Sequence, residues 1–265
     1  MTSPGQLYDA LFSFESRFRA GAYPIHKRLC FDDRKTDDIY NWIIKNSDVP
    51  ENGVIMDAGC GVGFGTLRLA ACSNSAVVGI GVSDAEIKRA TRNVEDAGHA
   101  DRVTIRHESY DNLDEGAFDM IIAVESLKHS FDVKRSIQSL VNALKPGGRM
   151  VIVEDLFSGP QQHPSARQLG EDWALTRNYS ESDYVDALNS GRTVITDLTP
   201  YVNISGRFSI KAGLLGVQAI LTTGPRKHSL ALRAFRGGLH LQRLYSEGLM
   251  HYKAIEITKD AAVGI

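Results

Sequence analysis

Residues 54–70 read V-I-M-D-A-G-C-G-V-G-F-G-T-L-R-L-A, and the rest of the chain is placed from them. Val54, Ile55 and Met56 form a short apolar run that stops at Asp57. Glycines then alternate at Gly59, Gly61, Gly63 and Gly65, and Thr66 to Ala70 resume at helical spacing. The pattern is strand, glycine-rich turn, helix. Glycine tolerates positive φ and lets backbone pass close to a ligand, and the helix that follows presents unpaired N–H groups and a partial positive charge. Such a turn binds something flat and polar.

Spacing separates two ligand classes. A dinucleotide fingerprint spells Gly-x-Gly-x-x-Gly and seats a pyrophosphate on the helix N-terminus. Here the glycines run Gly59-x-Gly61-x-Gly63 just after Asp57, a poor neighbour for a pyrophosphate and a good one for a cationic or amino-bearing ligand. The spelling D-A-G-C-G-V-G-F-G resembles the first motif of class I S-adenosylmethionine-dependent methyltransferases. A second stretch, L-K-P-G-G before the apolar M-V-I-V, resembles the same class, and its distance from the glycine motif also fits.

At 265 residues with 43% hydrophobic content, the chain suits one α/β domain with additions. A net charge of −2 gives no reason to expect nucleic acid or an anionic membrane. Cys30, Cys60 and Cys72 are too few and too irregular for a disulfide framework or a zinc site, which points to a reducing compartment. The start M-T-S-P-G-Q lacks a basic and apolar leader, and no apolar stretch approaches the roughly 20 residues of a membrane span. A soluble, cytoplasmic protein is expected.

Residues 5–50 read as helices with apolar faces at Leu7, Leu11, Phe12 and Phe14 and at Ile39, Tyr40, Trp42, Ile43 and Ile44. The resemblance implies a lid there, with Tyr8, Phe14, Tyr23 and His26 as its residues of interest; core packing is the other reading. Ala76 to Ile80 is a second buried strand, and Ser83 with Glu86 three residues on forms a capping box for a helix to Gly98. The family's ribose-binding acid would align with Gly81, so Ser83 either takes the ribose or only caps its helix. Arg102 to Arg106 alternates as a third strand before H-E-S-Y-D-N-L, where the resemblance implies adenine contacts from Glu108, Ser109 or Tyr110. A fourth strand runs into Glu125, Ser126, Lys128 and His129, and a fifth ends at Glu154 and Asp155, the strand ends where parallel sheets bind ligands. Beyond Gly159 the pattern weakens: a helical insertion near 173–188, a candidate sixth strand near Thr193, helices over 200–240, and a final strand from Met250 that the family places antiparallel at the sheet edge.

Methyl transfer needs in-line placement and, for an oxygen acceptor, a base. E-S-L-K-H-S-F-D, residues 125–132, resembles the E-S-x-x-H-x-x-D stretch of rebeccamycin-type sugar O-methyltransferases and of tocopherol and sterol C-methyltransferases. The resemblance implies a catalytic dyad, His129 as base and Asp155 as its helper; a structural histidine is the other reading. Glu125 near a sulfonium would also suit carbocation stabilisation in C-methylation. No metal-ligand cluster is evident.

The expectation is therefore an α/β, Rossmann-like seven-stranded mixed sheet of the class I methyltransferase type with N-terminal helices and a helical cap. Residues 1–50 form the lid, 51–160 the cofactor core, and 161–265 the remaining strands with acceptor-binding insertions. The implied cofactor is S-adenosylmethionine, held by Asp57, Gly59, Cys60, Gly61, Gly63, Ser83, Ser109, Tyr110 and Glu125. The partner is a small, natural-product-like acceptor methylated at oxygen, with C- or N-methylation and a non-catalytic cofactor-binding protein as alternatives. The acceptor-side helices also suit an oligomer interface.

Overall fold

The computed structural model describes residues 26–32, 35–111, 113–188, 191–202 and 225–261. Its main sheet has seven strands: β3 (Val54–Ala58), β4 (Ala76–Gly81), β5 (Val103–His107), β6 (Phe118–Val124), β7 (Leu144–Phe157), β8 (Arg192–Asp197) and β9 (Met250–Thr258). Their order is β5-β4-β3-β6-β7-β9-β8. β3 to β7 are mutually parallel, while β9 runs antiparallel to both of its neighbours, β7 and β8. The final strand is thus one place inside the sheet, and β8 holds the edge that the sequence reading gave to β9.

Apolar side chains on the central strands alternate between two cores. Ile55, Met120, Ile122, Val151 and Val153 face one side, where Ile39–Asn46, Phe64–Cys72, Pro164–Trp173 and Pro225–Ser246 supply the covering helices. Met56, Ile121, Ala123, Met150 and Ile152 face the other, covered chiefly by Val133–Ala143. Because both faces are covered, these strands read as unbroken apolar runs. Each fully buried Ile, Val or Met contributes on the order of 1.5–3 kcal/mol.

Helix starts follow local chemistry. Asp38 Oδ1 accepts from Asn41 N at 2.9 Å to open Ile39–Asn46, and Asp132 Oδ1 accepts from Lys134 N and Arg135 N to open Val133–Ala143. Ser83 Oγ accepts from Glu86 N at 3.2 Å and caps Asp84–Asp96.

The N-terminal region is not helical throughout: Y-P-I-H-K-R-L-C-F-D-D, residues 23–33, is less periodic in sequence than the stretches on either side, and a hairpin begins in it. β1 (Arg28–Asp32) and β2 (Lys35–Asp38) form an antiparallel hairpin ahead of the helix Ile39–Asn46. Tyr8, Phe14 and Tyr23 lie outside the described residues. In the last third, the helix expected near 173–188 is reduced to the short Glu181–Val185, a helix Pro164–Trp173 not expected from the sequence lies ahead of it, and Pro225–Ser246 is helical at the end of the 200–240 region.

Candidate active site

The loops that leave β3, β4, β5 and β6 all emerge at the carboxyl edge of the sheet, and the glycine turn lies at its middle. Gly59, Gly61 and Gly63 adopt φ of +90°, +52° and +81°, the left-handed region that favours glycine. A Cβ on Gly59 would lie 2.4 Å from Ser126 Cβ, and one on Gly63 3.2 Å from Ala90 Cβ, so these two glycines let β6 and the next helix close in. At Gly61 the nearest atom to such a Cβ is Glu86 Oε1 at 3.9 Å. Among the described residues Gly61 therefore borders open space, a cradle that a ligand could fill. The amides of Gly59 and Cys60 both donate to Ile80 O, and Gly63 N donates to Cys60 O, so these three groups are satisfied inside the turn.

Asp57 does not face that cradle. Its carboxylate is wholly buried, accepting from Tyr40 Oη at 2.7 Å and Thr66 Oγ1 at 2.6 Å. Burial pushes the carboxyl above its ordinary value, and the two hydroxyl bonds oppose the shift only in part. The expected direct contact between Asp57 and a ligand is thus replaced by a supporting role beneath the turn. Tyr40 explains the fourth glycine as well, since a Cβ on Gly65 would lie 1.9 Å from the Tyr40 ring. Cys60 is likewise buried, its thiol pushed up first by burial and then by Asp57 and Glu86, so it serves by packing rather than by reaction.

Around the cradle, Ser83 is buried as the helix cap. Ser109 Oγ donates to Asp111 Oδ2 at 2.9 Å, and half-buried Tyr110 donates to Ser126 O at 3.2 Å. Glu125 has φ of +50°, rare for a residue with a side chain and costing roughly 1–2 kcal/mol. Its Oε1 accepts from Lys27 N at 2.8 Å and Tyr252 Oη at 3.1 Å.

Glu125 opens onto a buried ionic cluster that the sequence reading found only in part. Asp155 Oδ2 accepts from Lys27 Nζ at 2.6 Å and from Lys128 Nζ at 2.9 Å, while Oδ1 accepts from Tyr245 Oη. Lys128 Nζ also lies 3.2 Å from Glu154 Oε1 and 3.7 Å from Glu125 Oε2. Burial works to raise the Asp155 carboxyl, but Lys128 and Lys27 outweigh it and hold it below the usual range. Glu154 moves up, burial being the largest cause.

The dyad expected between His129 and Asp155 does not form. All three side-chain groups bonded to Asp155 are Lys27, Lys128 and Tyr245. His129, on the single turn Leu127–His129, is lowered to about 3 by burial and by Lys128, against an opposing pull from Glu125. It is therefore a neutral imidazole at working pH.

Beside the cluster lies a narrow, partly open cleft with about 20 Å³ of space in its interior. Lys128 and Asp155 line it with Leu169, Trp173, Leu175, Leu241 and Met250, while Arg177, Asn178 and Tyr179 complete the lining. The wall is built by two helices that interlock: Trp173 Nε1 donates to Ala234 O at 3.0 Å, and Arg236 Nε to Asp172 Oδ2 at 2.7 Å. Among the described residues no helix is long and apolar enough to cross a membrane.

Comparison with known proteins agrees with this geometry. A methyltransferase-domain family model matches residues 50–181, half of the chain. An S-adenosyl-L-methionine-dependent Diels-Alderase of Talaromyces variabilis is 30% identical over 140 residues, 50% of this chain and 44% of that protein. The 27-O-demethylrifamycin SV methyltransferase of Amycolatopsis mediterranei (strain S699) is 32% identical over 105 residues, 39% of each. The chain thus spans less than half the length of these curated relatives. The crystal structure of the 4+2 cyclase SpnF superposes with a TM-score of 0.81 at 19% identity, covering 98% of this chain and 97% of that one, a likeness of fold. Glycine turn, strand order and family match together place the chain in the methyltransferase-domain family, on a class I methyltransferase fold.

Proposed function

We propose that the protein transfers a methyl group from S-adenosylmethionine to an oxygen of a small, largely apolar acceptor. The observation that carries this reading is the pairing of an open cradle at Gly61 with a cleft whose polar end is Lys128 and Asp155, the chain passing in two residues from Ser126, which packs on Gly59, to Lys128. Gly61 and the loops at Ser83, Ser109 and Tyr110 border the cofactor's place, while Asp57, Tyr40 and Thr66 brace the turn from below. The cofactor supplies an electrophilic methyl group on a sulfonium. Glu125, whose backbone N donates to Val153 O and whose Oε1 accepts from Lys27 N and Tyr252 Oη, presents a carboxylate near the junction of the two sites. Asp155 Oδ1 keeps lone-pair capacity beyond its bond from Tyr245 and accepts a hydrogen bond from an acceptor hydroxyl at the cleft end. The helices Pro164–Trp173 and Pro225–Ser246 shield that contact from water, the role expected of the 161–265 segment as an acceptor cap.

A second reading keeps the same cofactor but leaves it unconsumed, with the cleft folding a polyene for cyclisation. The Diels-Alderase relative favours it. Calorimetric titration with S-adenosylmethionine and with NADH, followed by incubation with methyl-labelled cofactor and a panel of hydroxylated aromatic and polyketide acceptors, tests both. Micromolar binding of the first cofactor and label in product, with equimolar S-adenosylhomocysteine, is expected. Binding with acceptor turnover but no label transfer selects the cyclase reading, and absence of binding overturns both.

A further inference from the structure

An acceptor does not fit the cleft as it stands. Its interior, about 20 Å³, has room for about one water, and ligand pockets are an order of magnitude larger. One wall must therefore give way, and most of them are fixed. Asp155 and Met250 belong to β7 and β9, each paired on both sides within the sheet. Lys128 is held by Asp155, Glu154 and Glu125. Leu169 and Leu241 are buried in the core, Asn178 Nδ2 donates to Ala166 O at 2.8 Å, and Tyr179 Oη reaches the carbonyl oxygens of Ser130 and Phe131. What remains is Trp173 and Leu175, on either side of Ala174 at the C-terminal end of the helix Pro164–Trp173. Ala174 has φ of +54°, the left-handed region in which a side chain is strained. Glycine is the usual residue where a helix ends in that conformation. Trp173 itself is half-buried and tied by the bond from Nε1 to Ala234 O at 3.0 Å, and its ring sits where a Cβ on Gly237 would come within 2.3 Å.

We propose that Trp173 is the gate of the acceptor cleft and selects the acceptor by size: its indole occupies the acceptor's place and swings outward about Ala174 to admit an uncharged, apolar group close to its own dimensions. This inference rests on the methyl-transfer reading above, which makes the cleft the acceptor's site, and names the residue that admits it. The strain at Ala174 favours the opened form, since a right-handed or extended backbone there relieves it. Against it stand the bond from Trp173 Nε1 and the packing of the ring on Gly237, whose missing side chain gives the indole its seat. An entering apolar group restores the burial that the indole gives up, and so its binding drives the exchange. The charged groups that line the cleft already have partners: Lys128 meets three carboxylates, Asp155 two ammoniums, and Arg177 meets Asp183. Nothing in the slot calls for a charged acceptor.

The test uses decahydronaphthol, a two-ring alcohol close to indole in size and transparent where tryptophan absorbs, on the full-length protein saturated with S-adenosylhomocysteine. The chain has two tryptophans, so a Trp42→Phe background leaves Trp173 as the sole reporter. Acrylamide quenching of its fluorescence is expected to rise as probe is added, because the indole moves toward solvent. A probe that entered beside a stationary indole would shield it and lower the quenching. By calorimetry Trp173→Ala should bind the probe about tenfold more tightly than the wild type, no indole having to be displaced, with Trp173→Phe between the two. Ala174→Gly removes the strain of the closed form and should bind it about fivefold more weakly. Constant or lowered quenching, no gain of affinity in Trp173→Ala, no loss in Ala174→Gly, or no wild-type binding at millimolar probe each overturns the proposal. Should Trp173→Ala fail to fold, a Trp173→Phe affinity no better than the wild type would overturn it equally. Probe admission needs no methyl transfer, so a failure here with labelled product still formed refutes the gate alone. Absence of cofactor binding refutes the reading beneath it.

Discussion

Tyr40→Phe removes one oxygen and leaves the ring that packs on Gly65, so it isolates the hydroxyl bond to Asp57. That bond is 2.7 Å long and ends on a carboxylate with no exposed surface, whose other side-chain donor among the described residues is Thr66. A hydrogen bond to a charged group is worth about 1.5–3 kcal/mol, and no water reaches this site to replace it. The expected deficit is about 2 kcal/mol near pH 8, read as a lower urea midpoint with unchanged slope. The pH dependence carries the sharper test. The folded Asp57 carboxyl already lies above its unfolded value of about 3.9, so its ionised form costs stability at neutral pH. Removing Tyr40 Oη raises the folded value further and leaves the unfolded one alone. The deficit is therefore full above the variant's folded value and shrinks as pH falls through it. Repeated in an Asp57→Asn background, where the bond is neutral, the same change should cost only about 0.5–1.5 kcal/mol. A deficit under about 0.5 kcal/mol at pH 8, or one that stays constant as pH is lowered through the whole acid limb of the stability curve, would refute the idea that Asp57 is an ionised strut.

Gly65→Ala forces a methyl into the Tyr40 ring and should cost at least as much as an overpacked core, about 1–3 kcal/mol by urea denaturation, because the neighbour is a rigid ring. Gly61→Ala has room for its methyl and pays mainly for its positive φ, about 1–2 kcal/mol, yet should weaken S-adenosylmethionine binding by tenfold or more in calorimetry because the methyl enters the cradle. Asp155→Asn leaves Lys27 and Lys128 facing a neutral amide and should lose about 3–5 kcal/mol at pH 7. Since the folded Asp155 value is depressed, that difference is present above the unfolded value of about 3.9 and disappears as pH falls through the folded one, which acid titration of both proteins would follow. His129 is lowered to about 3, so the wild-type pH–rate profile between pH 5 and 9 should contain no midpoint that His129→Asn abolishes.

The core of the fold was legible because its strands are buried on both faces and its glycines announce the turn between β3 and the next helix. V-I-M, A-V-V-G-I and F-D-M-I-I-A-V are short apolar runs bounded by breakers, and local pattern suffices to place them. The position of β9 was not legible, since M-H-Y-K-A-I-E-I-T alternates equally well whether it pairs on one side or on two; sequence order says nothing about insertion between β7 and β8. The same limit explains the site. Asp57 looked like a ligand contact because an acid beside alternating glycines is conspicuous, but its two side-chain donors among the described residues come from Tyr40, 17 residues before it, and from Thr66 on the helix behind it. Each of those residues had an adequate bland explanation on an apolar face or at a helix start.

The ionic cluster sets the harder limit, and the reason is energetic. A buried lysine reads in sequence as a surface lysine, and neither Lys27 nor Lys128 carries any local mark of burial. Only the fold brings Lys27, Glu125, Lys128, Asp155 and Tyr245 into one apolar-walled space from four separate stretches of chain. Such a cluster is poor at stabilising a fold, because desolvation of its members offsets most of their attraction, and well-packed apolar side chains would do as well or better. Its retention at the end of the cleft, beside a strained Glu125, is therefore best accounted for by what it does to a bound molecule. The signal that would have found it from sequence is the run E-S-L-K-H in which the lysine, and not the histidine, is the side chain delivered to the cleft.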